Sequence, residues 1–139
     1  FERLATQFGL GDRVHFTGEV AHADVRRYFA RAGAALLYMS NRLVNEYRCS
    51  LKLREYFAAG LKVVSNDVGE LSEYARLIYQ TGSRLEDFAA MIVRVLAGFD
   101  DGRQKVAQEF VREECDWPRI VKAAAIELGR HVDRVATGR

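Results

Sequence analysis

Apolar and polar positions along this chain follow two periods, and the switches between them set out its elements. The clearest unit lies at residues 50–65. Leu53, Tyr56 and Phe57 recur at i, i+3 and i+4, the spacing of one helix face. Ser50 suits the N-cap, where a hydroxyl can accept from a free first-turn amide. Gly60 follows Ala58 and Ala59, where a left-handed C′ residue is wanted. A β-branched run then begins over residues 62–65, so the unit reads as helix, tight turn and strand.

The same reading extends in both directions. Phe1, Leu4 and Phe8 mark one face of a helix over residues 1–8, which Gly9, Gly11 and Asp12 break. Residues 13–17 read as a strand ending at Gly18, followed by a loop into a helix at about 24–31 with Val25, Tyr28 and Phe29 as its stripe. Residues 34–39 form a continuous apolar run, the mark of a strand buried on both faces. A polar loop covers residues 40–47. Beyond the central strand come a turn-rich loop at 66–69, a short helix at about 70–74 and a short strand at 77–79. Three helices close the chain, at roughly 85–97, 102–114 and 117–135. Asp116 is placed as the cap of the last, Pro118 fits its first turn, and Ile120, Ala124, Leu128 and Val132 are its core stripe.

Strands alternating with helices predict βαβ units. The expected fold class is therefore α/β, a Rossmann-like three-layer αβα domain with a parallel sheet. In such folds ligands bind beyond the carboxyl ends of the strands. Those ends carry Thr17 and Gly18, then Met39, Ser40 and Asn41, then Ser65, Asn66 and Asp67.

Composition narrows the classes. The 139 residues suffice for one domain with a real core, and 49% are apolar with a net charge of only +2. That balance argues against disorder and against a nucleic-acid-sized basic surface. Two cysteines, Cys49 and Cys115, are too few for a disulfide framework or zinc site, so two reduced thiols in a cytoplasmic protein are expected. No apolar run approaches the roughly 18 residues of a membrane span. His15, His22 and His131 lack ligand spacing, and no metal is expected. Arg26, Arg27 and Arg31 form either a solvated face or a contact for anionic lipid. Ser40 and Ser65 lack the strand-turn-helix setting of a hydrolase nucleophile, and no G-x-G-x-x-G announces a dinucleotide.

Charge adds one clue at the central helix. Cations are disfavoured at a helix amino end, yet Lys52 and Arg54 are expected in its first turn, with Arg48 just ahead. Lys52 precedes Glu55 by three, the poorer order for a helix ion pair. An anion docked on the free amides near Ser50 would account for this better than a solvated salt bridge does, and ordinary surface charges are the alternative.

These residues carry a resemblance. Val14 to Val20, Tyr28 with its alanine-rich continuation, and Leu36 to Ser40 look like the carboxyl-terminal domain of GT-B glycosyltransferases of the family 4 type. Ser50 to Ser65 is similar to that family's P-x-K-x-x-E-Y-x-A-x-G-x-P-V-V-S block. Gly69, Glu70 and the Trp117-initiated helix continue the likeness.

The resemblance implies transfer of a sugar from a nucleotide-sugar donor with retained configuration, without metal or other cofactor. It places the diphosphate at Ser50, Leu51 and Lys52, the ribose hydroxyls on Glu55, and the base against the loop at Gly18. Glu55 corresponds to the second glutamate of the family's E-x7-E motif. Tyr47 stands where the first belongs, so Glu46, one place off, is the candidate catalytic carboxylate only if the loop is shifted. Ser50 and Lys62 replace prolines. The resemblance also implies that this is a single donor-binding domain, 1–139, of a larger two-domain enzyme. An acceptor domain and the diphosphate-clamping Arg and Lys would precede Phe1, along with strands central to the sheet. Its partners would be the donor and that domain, with no nucleic acid, in the cytoplasm or at a membrane surface. The alternative is a non-catalytic nucleotide- or partner-binding module derived from such a domain.

Overall fold

A computed structural model gives the fold and describes residues 1–137, with side chains through residue 130. The helices are α1 (Glu2–Gln7), α2 (His22–Phe29), α3 (Leu43–Glu46), α4 (Leu51–Ala58), α5 (Leu85–Leu96), α6 (Arg103–Glu114) and α7 (Trp117–Thr137). The strands are β1 (Ala35–Leu37), β2 (Val63–Asn66) and β3 (Tyr79–Thr81), and a 3-10 segment spans Gly69–Tyr74. The sheet has the order β1-β2-β3, and both pairs are parallel.

Alternation along β2 divides the core. Val63 faces one layer with Leu53 and Phe57 of α4 and Ala107 of α6. Val64 faces the other with Tyr79 and with Phe88 and Val95 of α5. Helices therefore cover both faces, and the domain is Rossmann-like αβα. All four β2 residues are buried. Burying a large apolar side chain contributes roughly 1.5–3 kcal/mol, so α4 is held chiefly by Leu53 and Phe57.

Both ends of α4 follow from its sequence. The Leu53 amide donates to Ser50 Oγ at 3.4 Å. At the other end Gly60 adopts φ +70°, its amide donates to Phe57 O at 2.9 Å, and Leu61 N–H reaches Tyr56 O at 3.0 Å. That pair of bonds is a Schellman stop. Because α4 follows β1 and precedes the parallel β2, its amino end lies at the carboxyl rim of the sheet.

Several expectations need correction. Residues 13–17 are not a strand: they lie outside the sheet, with Val14 39% and Phe16 43% exposed. A ladder needs a neighbouring strand, and among the described residues none lies beside them. β1 is shorter than residues 34–39 and is not buried on both faces, since Leu36 is 49% exposed. It is an edge strand, and α5 packs on β2 and β3. The loop at 40–47 contains α3, where Asn45 turns back to donate to Ser40 O at 2.7 Å. β3 begins at Tyr79, so only one residue of the expected strand at 77–79 lies within it. Among the described side chains the apolar faces of α1 and α7 stand open to solvent: Phe1, Phe8, Ile120 and Leu128 are all exposed. Val132 and His131 fall outside the described side chains.

Candidate functional site

The rim is built from β1, β2 and the α3–α4 junction. Ser65 and Asn66, at the end of β2, are fully buried. Ser65 Oγ donates to Leu37 O at 2.7 Å, and Asn66 bonds both the amide and the carbonyl of Met39. These side chains fix where the chain leaves β1 and so where α4 starts.

Gly69 brings the 3-10 segment against α3. Its φ is +57°, and a Cβ there would collide with the Asn45 carbonyl oxygen. Glycine is required on both counts. The approach creates a cavity of about 380 Å³ lined by Glu46, Tyr47, Arg48, Cys49, Glu70 and Glu73 among others.

At the α4 amino end the chain supplies an anion of its own. Glu70 Oε2 accepts from the Ser50 amide at 2.7 Å, and Oε1 accepts from Arg54 Nη2 at 2.5 Å. Arg54 also donates to Ser50 O and to the Tyr74 hydroxyl, both at 3.2 Å, while the Cys49 thiol donates to Glu70 at 3.7 Å. Partial burial pushes the Glu70 carboxyl up, but the bonds from Arg54 and Ser50 outweigh it and hold it below its ordinary value. The hydrogen bond to Glu70 raises the Arg54 pKa in turn, so this cation stays charged. The unfavourable Arg54 noted in the sequence is thus matched within the chain. Glu70 was missed as its partner because the two lie sixteen positions apart, beyond any helical spacing.

Lys52 and Leu51 are exposed at the helix start, and no salt bridge involves Lys52 among the described residues. Their first-turn amides have no intrahelical acceptor. Glu55 is exposed one turn on and lines a different cavity, about 440 Å³, between α2 and α4 with His22, Val25, Arg26 and Phe29. Phe29 meets Tyr56 edge-on at 5.4 Å and holds the two helices together. Gly18 is exposed in the loop before α2 with φ +64°, and nothing lies within 4 Å of where its Cβ would be.

The structure therefore gathers Glu46 with the residues flanking Ser50, and places Glu55 against α2. It puts neither Gly18 nor Glu55 in the cavity of Glu46. Lys62 is tied to Asp100 at 3.3 Å and to Phe99 O at 3.0 Å, a structural clasp. Arg27 pairs with Asp24, while Arg26 and Arg31 line separate cavities. Cys49 and Cys115 are free thiols. Among the described residues no helix is long and apolar enough to cross a membrane, and no group of three or more His, Cys, Asp or Glu is arranged to hold a metal ion.

A family model described as glycosyl transferases group 1 matches residues 1–98 of the 139. The chain belongs to this family. The match spans α1 through the whole of α5 and ends at residue 98, and so includes the sheet, α3, α4 and the Glu70 segment. Comparison with curated proteins and with solved structures returns no match. Membership in the group 1 glycosyl transferases makes glycosyl transfer the chemistry against which the rim is read.

Proposed function

We propose that this chain is the donor-binding part of a retaining GT-B glycosyltransferase, which transfers a sugar from a nucleotide-sugar to an acceptor without metal. The donor diphosphate lies at the start of α4, on the amides of Leu51 and Lys52 and the Lys52 ammonium, beside Ser50. Glu55 accepts from the ribose hydroxyls, and the loop at Gly18 lies against the base. Glu46 is the candidate catalytic carboxylate, and the acceptor is held by a separate amino-terminal domain.

The observation that carries this reading is the position of Glu55. Its carboxylate is exposed, forms no salt bridge among the described residues, and stands one turn beyond a capped helix start, at the edge of a cavity that continues along α4 to Ala58 and Ala59. An acceptor-only group suits a vicinal diol, and a phosphate one turn away suits free amides and the helix dipole. The cavity volume lies within the range of small-molecule sites.

One observation favours the non-catalytic alternative. Tyr47 stands in the place of the first glutamate and is 85% exposed, with Glu46 exposed beside it. The two readings separate on turnover. The protein carrying this chain should be offered a panel of nucleotide sugars, and the anomeric configuration of any product read by NMR. Retained configuration, lost in Glu46→Gln, supports the enzyme. Glu55-dependent nucleotide binding without turnover supports the module.

A further inference from the structure

We infer that Asn45 is a positioning residue, which anchors α3 through Ser40 and so holds the Glu46 carboxylate at the rim cavity. This rests on the reading of Glu46 as the candidate catalytic carboxylate and adds what places it. α3 is turned the wrong way for a helix docked by hydrophobic burial. Leu43 and Val44 are 75% and 72% exposed, and Asn45 is its only buried residue. Apolar side chains left in water beside a buried amide mean that hydrogen bonds set the rotation of this turn.

Those bonds tie the turn to the sheet. Asn45 Nδ2 donates to Ser40 O at 2.7 Å and to Ser40 Oγ at 3.2 Å. Ser40 follows Met39, whose backbone Asn66 holds from both sides at the end of β2. Gly69 closes the other flank, where a Cβ would lie 3.0 Å from both the Cα and the carbonyl oxygen of Glu46. Successive helix residues are rotated by about 100°, so turning residue 45 inward fixes how residue 46 points. The Glu46 carboxylate lines the cavity and forms no salt bridge among the described residues. Glu46 is the last residue of the anchored turn, whereas Tyr47, at the glutamate position of the resemblance, lies beyond it as the C-cap.

The test is a double-mutant cycle on the protein carrying this chain. Its readout is release of nucleoside diphosphate from a panel of UDP-, GDP- and ADP-sugars. Asn45→Ala should lower kcat roughly ten- to hundredfold, the cost of a misplaced group, with donor KM changed less than about threefold. In the Glu46→Gln background the same change should lower kcat less than about twofold, because no carboxylate is left to place. Circular dichroism checks that each variant is folded. If Asn45→Ala is not, Asn45→Asp takes its place, since it keeps the shape and removes only the donor. Failure of both to fold makes Asn45 a stability residue and overturns the inference. Unchanged kcat in a folded Asn45 variant overturns it too, as does an equal loss with and without Glu46. Turnover that needs Glu46 but not Asn45 removes only this inference. Turnover that Glu46→Gln leaves intact, or none by the unaltered protein, removes the catalytic assignment and the inference with it.

Discussion

Asn66 holds Met39 from both sides. Its Oδ1 accepts from the Met39 amide at 2.9 Å, and its Nδ2 donates to the Met39 carbonyl at 2.7 Å. Both residues are buried, so the side chain replaces a rung of sheet where β1 has already ended. Asn66→Ala would leave a buried donor and acceptor without partners, at about 1–3 kcal/mol each. Urea denaturation should show a loss of roughly 2–5 kcal/mol. A loss under about 1 kcal/mol would mean that water substitutes for the amide at little cost.

Gly69 should tolerate no side chain. Gly69→Ala meets both the left-handed backbone and the Asn45 carbonyl. A destabilisation of about 2 kcal/mol or more is expected, beyond the roughly 1 kcal/mol of a conformational penalty alone. Gly18→Ala, equally left-handed but in open space, should cost only the conformational part. Equal losses at the two sites would remove the steric argument for how α3 is placed.

The Glu70 carboxyl sets an acid limit. Its folded pKa lies below the ordinary value, so its contribution is present above the unfolded pKa and is lost as pH falls through the folded one. Stability should therefore decline from about pH 5 downward, and Glu70→Gln should flatten part of that decline. Thermal melts of both proteins across this range give the comparison. Superimposable profiles would mean that other carboxylates carry the acid sensitivity.

Lys52 should be dispensable for folding. It is exposed at a helix end that disfavours cations, so Lys52→Ala should change stability by less than about 0.5 kcal/mol, or raise it slightly. Pyrophosphate and nucleotide binding should weaken together in this variant. A stability loss above about 1 kcal/mol would point to a structural role.

Much of α4 was legible because its determinants are local. Ser50, Gly60 and the stripe of Leu53 and Phe57 specify start, stop and buried face within eleven positions. β2 was equally readable, since a β-branched run buried on both faces has few alternatives. What failed depended on neighbours. Residues 13–17 have strand composition but no adjacent strand among the described residues, and Leu36 is apolar yet sits at the sheet edge. The stripe of α7 is a real amphipathic pattern, but periodicity cannot name the surface it faces. At the site, the sequence marked excess positive charge near Ser50, but the partner of Arg54 came from Glu70 on a distant turn. Long-range ion pairs have no period to read.

Glu55 is the residue on which donor binding turns. Calorimetry with a nucleoside diphosphate and with inorganic pyrophosphate, on the protein and on Glu55→Ala, tests it most directly. Hydrogen bonds to a charged acceptor contribute about 1.5–3 kcal/mol, so nucleotide affinity should fall roughly ten- to hundredfold. Pyrophosphate, which has no ribose, should bind Glu55→Ala as it binds the unaltered protein. Equal weakening of both ligands would show Glu55 acting through helix stability or general charge, and would contradict the donor-binding reading.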